Sequence, residues 1–426
     1  MTDLKAVIEN VANDKGTIGD VFNGIMNSAI EQKASDIHME PKSDGQMLIR
    51  FRIDGVLYEI AYLNKDLQES LVFFIKISAK LRTDEHFAPQ DGKISFEYHP
   101  EADDQKGTDK NDSNADQIMK VDARISILPI SYGEKIVIRL LAQGAQSLTL
   151  EMLGFMPKDL EKVEKSYKRP YGTIIAAGPT GSGKTTTLYA ILKILNTNQV
   201  NTTTIEDPVE YEIDGVNHIQ INPKAALTFA SGLRAILRQD PNIIMVGEIR
   251  DVETALIAIN AAMTGHLVLS TLHANDSITT IPRLRNLGIE PFLIASTVNM
   301  VMSQRLGRRL CSKCKKEYKL TESELSTLKQ WRPDIAYYLK SGDTLYKAVG
   351  CEHCRNTGYK GRVGLYEVLE FTKNVREAIM NSATNDELLK VAKKDGFTLM
   401  LEDGIEKLKQ GLIDTPELIK VIALQE

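Results

Sequence analysis

The segment GPTGSGKT at residues 178–185 decides the fold of this chain. It fits G-x-x-x-x-G-K-[ST], the phosphate-binding loop of P-loop nucleotide hydrolases. The apolar run at 172–178 precedes the loop motif, and the helical pattern at 185–195 follows it. The sequence therefore predicts a buried parallel strand, a loop and a helix whose N-terminus faces an anion. A chance match by a glycine-rich turn is the alternative, and the flanking patterns disfavour it.

Each residue type in this loop has a mechanical role. The glycines let the backbone curl so that its N–H groups point at phosphate oxygens. Lys184 places a positive charge at the β- and γ-phosphates, and the Thr185 hydroxyl is a ligand for Mg²⁺. The predicted ATP-binding residues are Gly178, Pro179, Thr180, Gly181, Ser182, Gly183, Lys184, Thr185 and Thr186.

Length and charge set the limits for the rest of the chain. A chain of 426 residues is expected to form two or three domains, and a net charge of −5 disfavours one built to coat nucleic acid. No apolar run reaches about 18 residues, and the polar first sixteen or so residues are no signal peptide. We therefore expect a cytoplasmic location, no direct membrane insertion, and membrane contact only through a partner.

Hydrophobic periodicity divides the chain into four parts. Residues 1–142 combine helical patterns at 17–32 and 67–81 with alternating strand patterns, which predicts a small α+β domain. Its predicted strands are 47–53, 56–60, 94–98, 119–128 and 134–141. The segment 101–117 carries six acidic and two basic residues, which predicts a solvated loop inserted between strands.

Beyond this domain, a linker and lead-in are expected at 143–169, and strands then alternate with helices over 170–305. That alternation predicts a parallel sheet with helical crossovers. The predicted strands are 172–178, 202–207, 242–248 and 267–273, and the predicted helices are 185–195, 229–239 and 252–263. Residues 306–426 are expected to form a cysteine-containing segment and a helical C-terminal region, with helices at 385–394 and 416–424.

All four cysteines lie in two C-x₂-C pairs, Cys311 with Cys314 and Cys351 with Cys354. Two such pairs and no other cysteine favour a tetrathiolate zinc site. Two disulfides are the alternative, which a reducing cytosol disfavours, and a redox C-x-x-C motif fits less well because neither pair follows a strand and opens a helix. His353 lies between two predicted ligands and is expected to face solvent, with a role as a competing ligand as the alternative.

ATP hydrolysis also needs an acid that organises Mg²⁺ and a group that orients or activates water. Both are expected at the carboxyl ends of strands beside the phosphate loop. The candidates at three predicted strand ends are Glu206, Asp207 and Glu210, then Glu248, then His273. Each alone has a structural explanation, as a capping acid, a turn acid or a satisfied histidine, and for His273 alone that explanation is favoured. Together, at successive strand ends after a phosphate loop, they indicate a site. We expect Glu206 to orient or activate the water, and Glu248 to hold Mg²⁺ through water alongside Thr185.

These motifs together resemble the secretion-superfamily ATPases, above all the assembly ATPases of type II secretion systems and type IV pili. The matching segments are GPTGSGKTTTLY, TIEDPVEY, LRAILRQDPNIIMVGEIRD, TGHLVLSTLHAND, CSKC with CEHC, GYKGRVGLYEVL, SDIHME and RFRIDGV. The resemblance runs from about residue 17 through nearly the whole chain. It implies a hexamer of subunits with a smaller PAS-like N-terminal domain and an α/β, RecA-like P-loop ATPase domain.

The resemblance also implies roles for particular residues. Glu206, Asp207 and Glu210 match the family's acidic box, and His273 matches its histidine box. Arg124 and Arg139 are implied to reach the nucleotide from the N-terminal domain, and both are isolated cations in predicted strands, which suits a phosphate partner. A surface salt bridge is the alternative. Arg234 and Arg238, four residues apart on a predicted helix, are implied to act at the γ-phosphate or between subunits, and a solvated basic face is the alternative.

The function implied is that of a hexameric motor whose ATP hydrolysis drives pilus or pseudopilus assembly through a polytopic inner-membrane platform protein. Larger family members carry an extra N-terminal domain that docks a membrane-associated partner, and only about sixteen residues precede the first matched helix here. The cysteine segment favours assembly or secretion over retraction. A nucleic-acid translocase and a nucleotide-gated scaffold remain as alternatives. The acidic balance counts against the translocase. The intact set of Lys184, Thr185, Glu206 and Glu248 counts against the scaffold.

Overall fold

The structure is a computed structural model that describes residues 4–13, 15–98, 119–140 and 148–422. The chain divides into two compact units, Met1–Ser147 and Leu148–Glu426. The predicted acidic loop at 101–117 and the first part of the predicted linker, 143–147, lie outside the described residues. Within the described ranges, no helix is both long and apolar enough to span a membrane.

The first unit is an α+β domain built on one six-stranded sheet. Its helices are α1 (Leu4–Ala12), α2 (Ile18–Glu31) and α3 (Lys65–Ser78). Its strands are β1 (Asp36–Pro41), β2 (Met47–Ile53), β3 (Val56–Leu63), β4 (Gln90–Tyr98), β5 (Met119–Ile130) and β6 (Gly133–Leu140). The sheet order is β3-β2-β1-β6-β5-β4, and each neighbouring pair is antiparallel. The predicted fold class is confirmed, although neither α1 nor β1 was predicted.

Local sequence explains how this unit is laid out. Thr17 and Asp20 form a capping box that begins α2 one residue later than predicted. Asp54 and Gly55 join β2 to β3 with positive φ angles of 48° and 85°, the geometry that a two-residue hairpin turn requires. Alternate strand residues such as Ile37 are fully buried against the helices, so the other face of the sheet is left for polar side chains.

The second unit contains a seven-stranded sheet with helices on both faces. Its strands are β7 (Gly172–Ala177), β8 (Thr202–Glu206), β9 (Asn217–Gln220), β10 (Ile243–Val246), β11 (Leu267–Leu272), β12 (Val298–Leu310), β13 (Lys316–Lys319), β14 (Thr344–Lys347) and β15 (Tyr359–Glu370). The sheet order is β15-β12-β7-β11-β10-β8-β9. All neighbouring pairs are parallel except β12 and β15, and β13 pairs separately with β14.

The helices of the second unit comprise the five predicted ones and, among the described residues, seven that were not predicted. They are α4 (Pro157–Tyr167), α5 (Lys184–Leu195), α6 (Phe229–Ile236), α7 (Val252–Met263), α8 (Thr280–Asn286), α9 (Pro291–Thr297), α10 (Glu322–Trp331), α11 (Pro333–Ala336), α12 (Lys373–Met380), α13 (Asn385–Lys394), α14 (Met400–Lys409) and α15 (Thr415–Ile422). One hydrophobic core packs α4 and α5 against one face of the sheet. A second hydrophobic core packs the helices on the other face, which include α6, α7, α9, α12 and α13.

Strand β15 was not predicted. It lies within the expected cysteine and helical region, yet it pairs along most of β12 and completes the ATPase sheet. Leu365, Val368 and Leu369 on this strand are almost fully buried, so the segment gains its stability as an edge strand of the core. The cysteine segment and the ATPase core therefore belong to one compact unit.

Candidate nucleotide-binding and catalytic site

The phosphate loop connects β7 to α5 at the carboxyl edge of the sheet. Gly178, Gly181 and Gly183 have φ angles of 144°, 78° and 90°, which side chains rarely adopt. At Gly183 a Cβ atom would also lie 2.9 Å from the Gln304 side chain. The glycines are therefore needed for both the loop's curvature and its close packing. Helix α5 begins at Lys184, so its N-terminus is directed at the loop, as predicted.

Gln304 of β12 lies beneath the loop and hydrogen-bonds to it, and it was not among the predicted residues. Its Nε2 donates to the Ser182 carbonyl at 2.7 Å, and its Oε1 accepts from the Thr187 hydroxyl at 2.9 Å. The side chain is only 1% exposed. Two polar residues, Ser303 and Gln304, after the largely apolar segment VNMVM were the available signal, but only the pairing of β12 with β7 places Gln304 beneath the loop.

Lys184 is 9% exposed and lies within the loop. Its Nζ donates to the carbonyl oxygens of Gly178 and Pro179 at 2.8 and 3.0 Å. Burial lowers the pKa of Lys184 to about 8; the Glu248 carboxylate opposes this shift, and the buried Arg305 adds to it. The carboxyl ends of β7 and β10 lie at the same edge of the sheet, and Glu248 is one of the charges that act on the loop lysine.

Glu248 follows β10 and is the centre of a charged group at the same edge. Its Oε1 accepts from Arg250 at 2.6 Å, and its Oε2 lies 3.6 Å from Nε2 of His273, which follows β11. Hydrogen bonding to Glu248 raises the pKa of Arg250, and Asp207 adds to the effect. Glu248 thus contacts His273 and Arg250, and Lys184 and Asp207 complete the charged group at the same edge of the sheet. Arg250 was not among the predicted residues.

Glu206 faces in a different direction from these groups. Its carboxylate accepts hydrogen bonds from the Tyr189 hydroxyl at 2.5 Å and the Thr204 hydroxyl at 2.6 Å, and His218 Nδ1 lies 3.0 Å away. The residue is 2% exposed, on the side of the sheet where α5 packs. Both carboxylate oxygens bond to side chains in a buried site, which was not expected of an acid that handles water. Tyr189 and His218 were also missed, because the packing of α5 on the sheet brings Tyr189 here and the pairing of β8 with β9 brings His218.

The remaining acidic and basic candidates in this unit are Arg234 and Arg238, which are exposed, and Glu210. Arg234 pairs with Glu253 of α7, and Arg238 donates to the Arg234 carbonyl at 2.9 Å. Helix α6 ends at Ile236 rather than at 239, so the two arginines do not form the single helix face that the sequence predicted. Glu210 is half-buried, and its backbone hydrogen-bonds to the Tyr189 hydroxyl.

In the first unit, Arg124 and Arg139 are directly opposite each other on β5 and β6. They belong to a row of paired residues that runs across the strands. The row continues from Arg124 to Lys93 on β4 and from Arg139 to Asp36 on β1 and Arg52 on β2. Arg139 Nε donates to Asp36 at 3.0 Å, although 64% of the arginine side chain is exposed. The row thus places four cations and one carboxylate across the polar face of the sheet, an arrangement that attracts anions.

The four cysteines form one cluster in the second unit. Their sulfur atoms all lie within 4.8 Å of one another, and all four thiols are free. A tetrahedral zinc ion with bonds of about 2.3 Å would hold its sulfurs about 3.8 Å apart. The nearest pairs are 3.7–3.9 Å apart, so the donor set fits zinc. His353 is exposed and lies outside the cluster.

The register of one hairpin explains how distant C-x₂-C pairs meet. Strand β13 follows Cys314, strand β14 precedes Cys351, and Lys316 pairs with Lys347. The long segment between the strands forms α10 and α11 without separating the cysteine pairs.

The phosphate loop follows β7 at the carboxyl edge of a largely parallel sheet, and the acid Glu248 follows β10, which is two strands away in the sheet. This arrangement defines a RecA-like P-loop ATPase. The family model for Type II/IV secretion system proteins matches residues 11–420. The chain belongs to this family, and the predicted resemblance is confirmed. ATPases of this class use a nucleotide and Mg²⁺.

The similarity to named relatives is extensive. The chain is 41% identical over 410 residues to the type II secretion system protein E of Aeromonas hydrophila, covering 96% of this chain and 76% of that protein. It is also 41% identical over 409 residues to the type IV pilus assembly ATPase PilB of Myxococcus xanthus, covering 96% of this chain and 68% of that protein.

Solved structures support the same fold. The ATPase DotB of Legionella pneumophila superposes with a TM-score of 0.63 at 22% identity, covering 94% of this chain and 95% of that chain. DotB of Yersinia pseudotuberculosis gives a TM-score of 0.64 at 20% identity, with 95% and 94% of the two chains covered.

Proposed function

We propose that this chain is the subunit of a hexameric motor that hydrolyses ATP to assemble a type IV pilus or a type II secretion pseudopilus through an inner-membrane platform protein. The observation that carries the proposal is the group of Lys184, Glu248 and His273 at the phosphate loop. It occurs in a chain that matches a secretion-system ATPase over most of that protein's length. This is the arrangement that Mg²⁺-dependent phosphoryl transfer to water requires.

The test has a biochemical and a cellular arm. Purified protein is expected to release phosphate from ATP only with Mg²⁺, and deleting the gene is expected to abolish surface pili or secretion, restored by the wild-type gene. Hydrolysis that requires added DNA would favour the nucleic-acid translocase. Nucleotide binding without phosphate release would favour the scaffold.

The contacts favour a division of labour between the acids opposite to the one expected from sequence. We propose that Glu248 acts on the attacking water, because it is the acid that interacts with both Lys184 and His273. Thr185 and the exposed Asp207 are then the groups that organise Mg²⁺. Glu206 has both carboxylate oxygens occupied by Tyr189 and Thr204 and serves the site indirectly.

We further propose that Arg124 and Arg139 act on the nucleotide phosphates. Arg139→Ala is expected to lower turnover by about tenfold or more while changing nucleotide affinity little, because a cation that acts mainly in the transition state contributes to kcat. Steady-state phosphate release and ATP titration provide the two quantities.

Asp36→Asn is the matched control for Arg139→Ala, since Asp36 is the ion-pair partner of Arg139. If the arginine only stabilises the sheet, both variants will lose stability and activity in parallel. Reduced turnover in the arginine variant alone supports a role at the phosphates.

Cys311, Cys314, Cys351 and Cys354 are proposed to bind one structural Zn²⁺, since four thiolates leave no open position for chemistry. Metal analysis of the purified protein should find one zinc per chain. Cys351→Ser is expected to abolish zinc binding and to expose the hairpin β13–β14 to proteolysis, because metal binding and folding of such a segment are coupled. Protein purified without chelators that contains no zinc would contradict this assignment.

A further inference from the structure

A buried hydrogen-bond network surrounds Glu206 and connects three elements of the ATPase unit. Tyr189 comes from α5, the helix that begins at the phosphate loop, and Thr204 lies two residues before Glu206 on β8. His218 comes from β9 and is opposite Thr204 in the sheet. The side chains of Glu206 and His218 are 3% and 6% exposed. The carboxylate is therefore held almost entirely by protein groups.

The two ring nitrogens of His218 have different partners. Nε2 accepts the backbone N–H of Ile213 at 3.1 Å, so the neutral ring carries its proton on Nδ1. Nδ1 lies 3.0 Å from the Glu206 carboxylate and 2.9 Å from the Thr204 hydroxyl. The ring thus connects the acid at the end of β8 to the middle of the segment between β8 and β9.

Tyr189 contacts the beginning of the same segment. Its hydroxyl donates to Glu206 at 2.5 Å and also hydrogen-bonds to the Glu210 backbone. The ring packs edge-on against Tyr211, with centroids 4.7 Å apart. Residues 207–213, which include Asp207 of the charged group, are therefore attached at two points to the core beside α5.

We propose that His218 and Tyr189 are positioning residues for ATP hydrolysis, which act through Glu206 to fix Asp207 and its neighbours relative to the phosphate loop. The proposal rests on the proposed ATPase function. It differs from a purely structural interpretation in one respect. Turnover depends on the bond from His218 to Glu206, which is adjacent to Asp207, whereas the bond from His218 to Ile213, six residues beyond Asp207, contributes to stability alone.

Two substitutions at His218 separate the bonds, because each retains one of them. The Asn side chain places an amide N–H near the position of Nδ1, and the Gln side chain places its amide oxygen near Nε2. His218→Asn is expected to lower the melting temperature but to keep kcat close to wild type. His218→Gln is expected to keep more stability but to lower kcat about tenfold with little change in KM, as loss of an orienting partner does.

A double-mutant cycle tests whether the effect passes through Glu206. In the Glu206→Gln background, His218→Gln is expected to cause no further loss of kcat, since the carboxylate that it positions is already absent. Additive losses in kcat, or equal kcat in the Asn and Gln variants at matched folded fraction, would overturn the proposal.

Amide hydrogen exchange gives a readout that does not depend on turnover. Tyr189→Phe is expected to speed exchange over 207–211 about tenfold, while Tyr171→Phe, at a largely exposed tyrosine, leaves it unchanged. If wild-type protein hydrolyses no ATP, the proposed function fails and exchange still decides whether the attachment exists. Unchanged exchange in Tyr189→Phe would refute the attachment itself, whatever the activity.

Discussion

Lys184→Ala is expected to reduce ATP hydrolysis by about 10³-fold or more, because the γ-phosphate loses its main side-chain cation in a site that largely excludes water. The lysine is only 9% exposed, and its amine already lies among the loop carbonyls of Gly178 and Pro179. Solvent therefore has little room to replace the lost charge. Steady-state phosphate release measures the effect.

Lys158→Ala is the matched control, since this lysine is exposed on α4 away from the loop. Its activity should equal that of the wild type. Near-normal turnover in Lys184→Ala would remove the assignment of residues 178–185 as the phosphate loop.

The lowered pKa of Lys184 provides a second test of the same variant, which is proton uptake when ATP binds. Burial lowers this pKa to about 8, so the amine loses its charge as the pH rises through that value. Bound phosphates favour the charged amine, and ATP binding near pH 8 is therefore expected to take up a proton. Calorimetry in two buffers of different ionisation enthalpy detects that proton, and Lys184→Ala should show none of this uptake.

Local sequence patterns predicted those parts of the fold that depend on nearby residues. The strand Met47–Ile53 and the helix Val252–Met263 have their predicted bounds, because alternation and helical periodicity are properties of the segment itself. The phosphate loop and the cysteine cluster were predictable for a related reason: their spacing is part of the chemistry.

The missed features depend on pairing between distant segments. Gln304 lies under the loop because β12 pairs with β7, and His218 faces Glu206 because β9 adds to β8. Strand β9 has four residues, too few for a clear alternation. Sequence also could not decide which way Glu206 faces, since a residue at a strand end is directed by the sheet and not by its local motif.

The comparison of Glu248→Gln with Glu206→Gln tests which of the two acids acts on the attacking water. Glu248→Gln is expected to bind ATP normally and to hydrolyse it at least about 10²-fold more slowly, because an amide cannot accept a proton from water. Glu206→Gln is expected to lose stability, since a neutral amide replaces a carboxylate that accepts from Tyr189 and Thr204. Its turnover should fall less than that of Glu248→Gln.

Glu212→Gln provides the matched control, as an exposed acid in the segment that follows β8. Phosphate release, ATP binding and thermal unfolding are measured for all three variants. If Glu206→Gln binds ATP without hydrolysing it while Glu248→Gln turns over normally, the assignment expected from sequence is correct and the one drawn from contacts is wrong. The decisive comparison is turnover per folded, nucleotide-bound protein, because only that quantity separates an acid that acts on water from one that holds the site together.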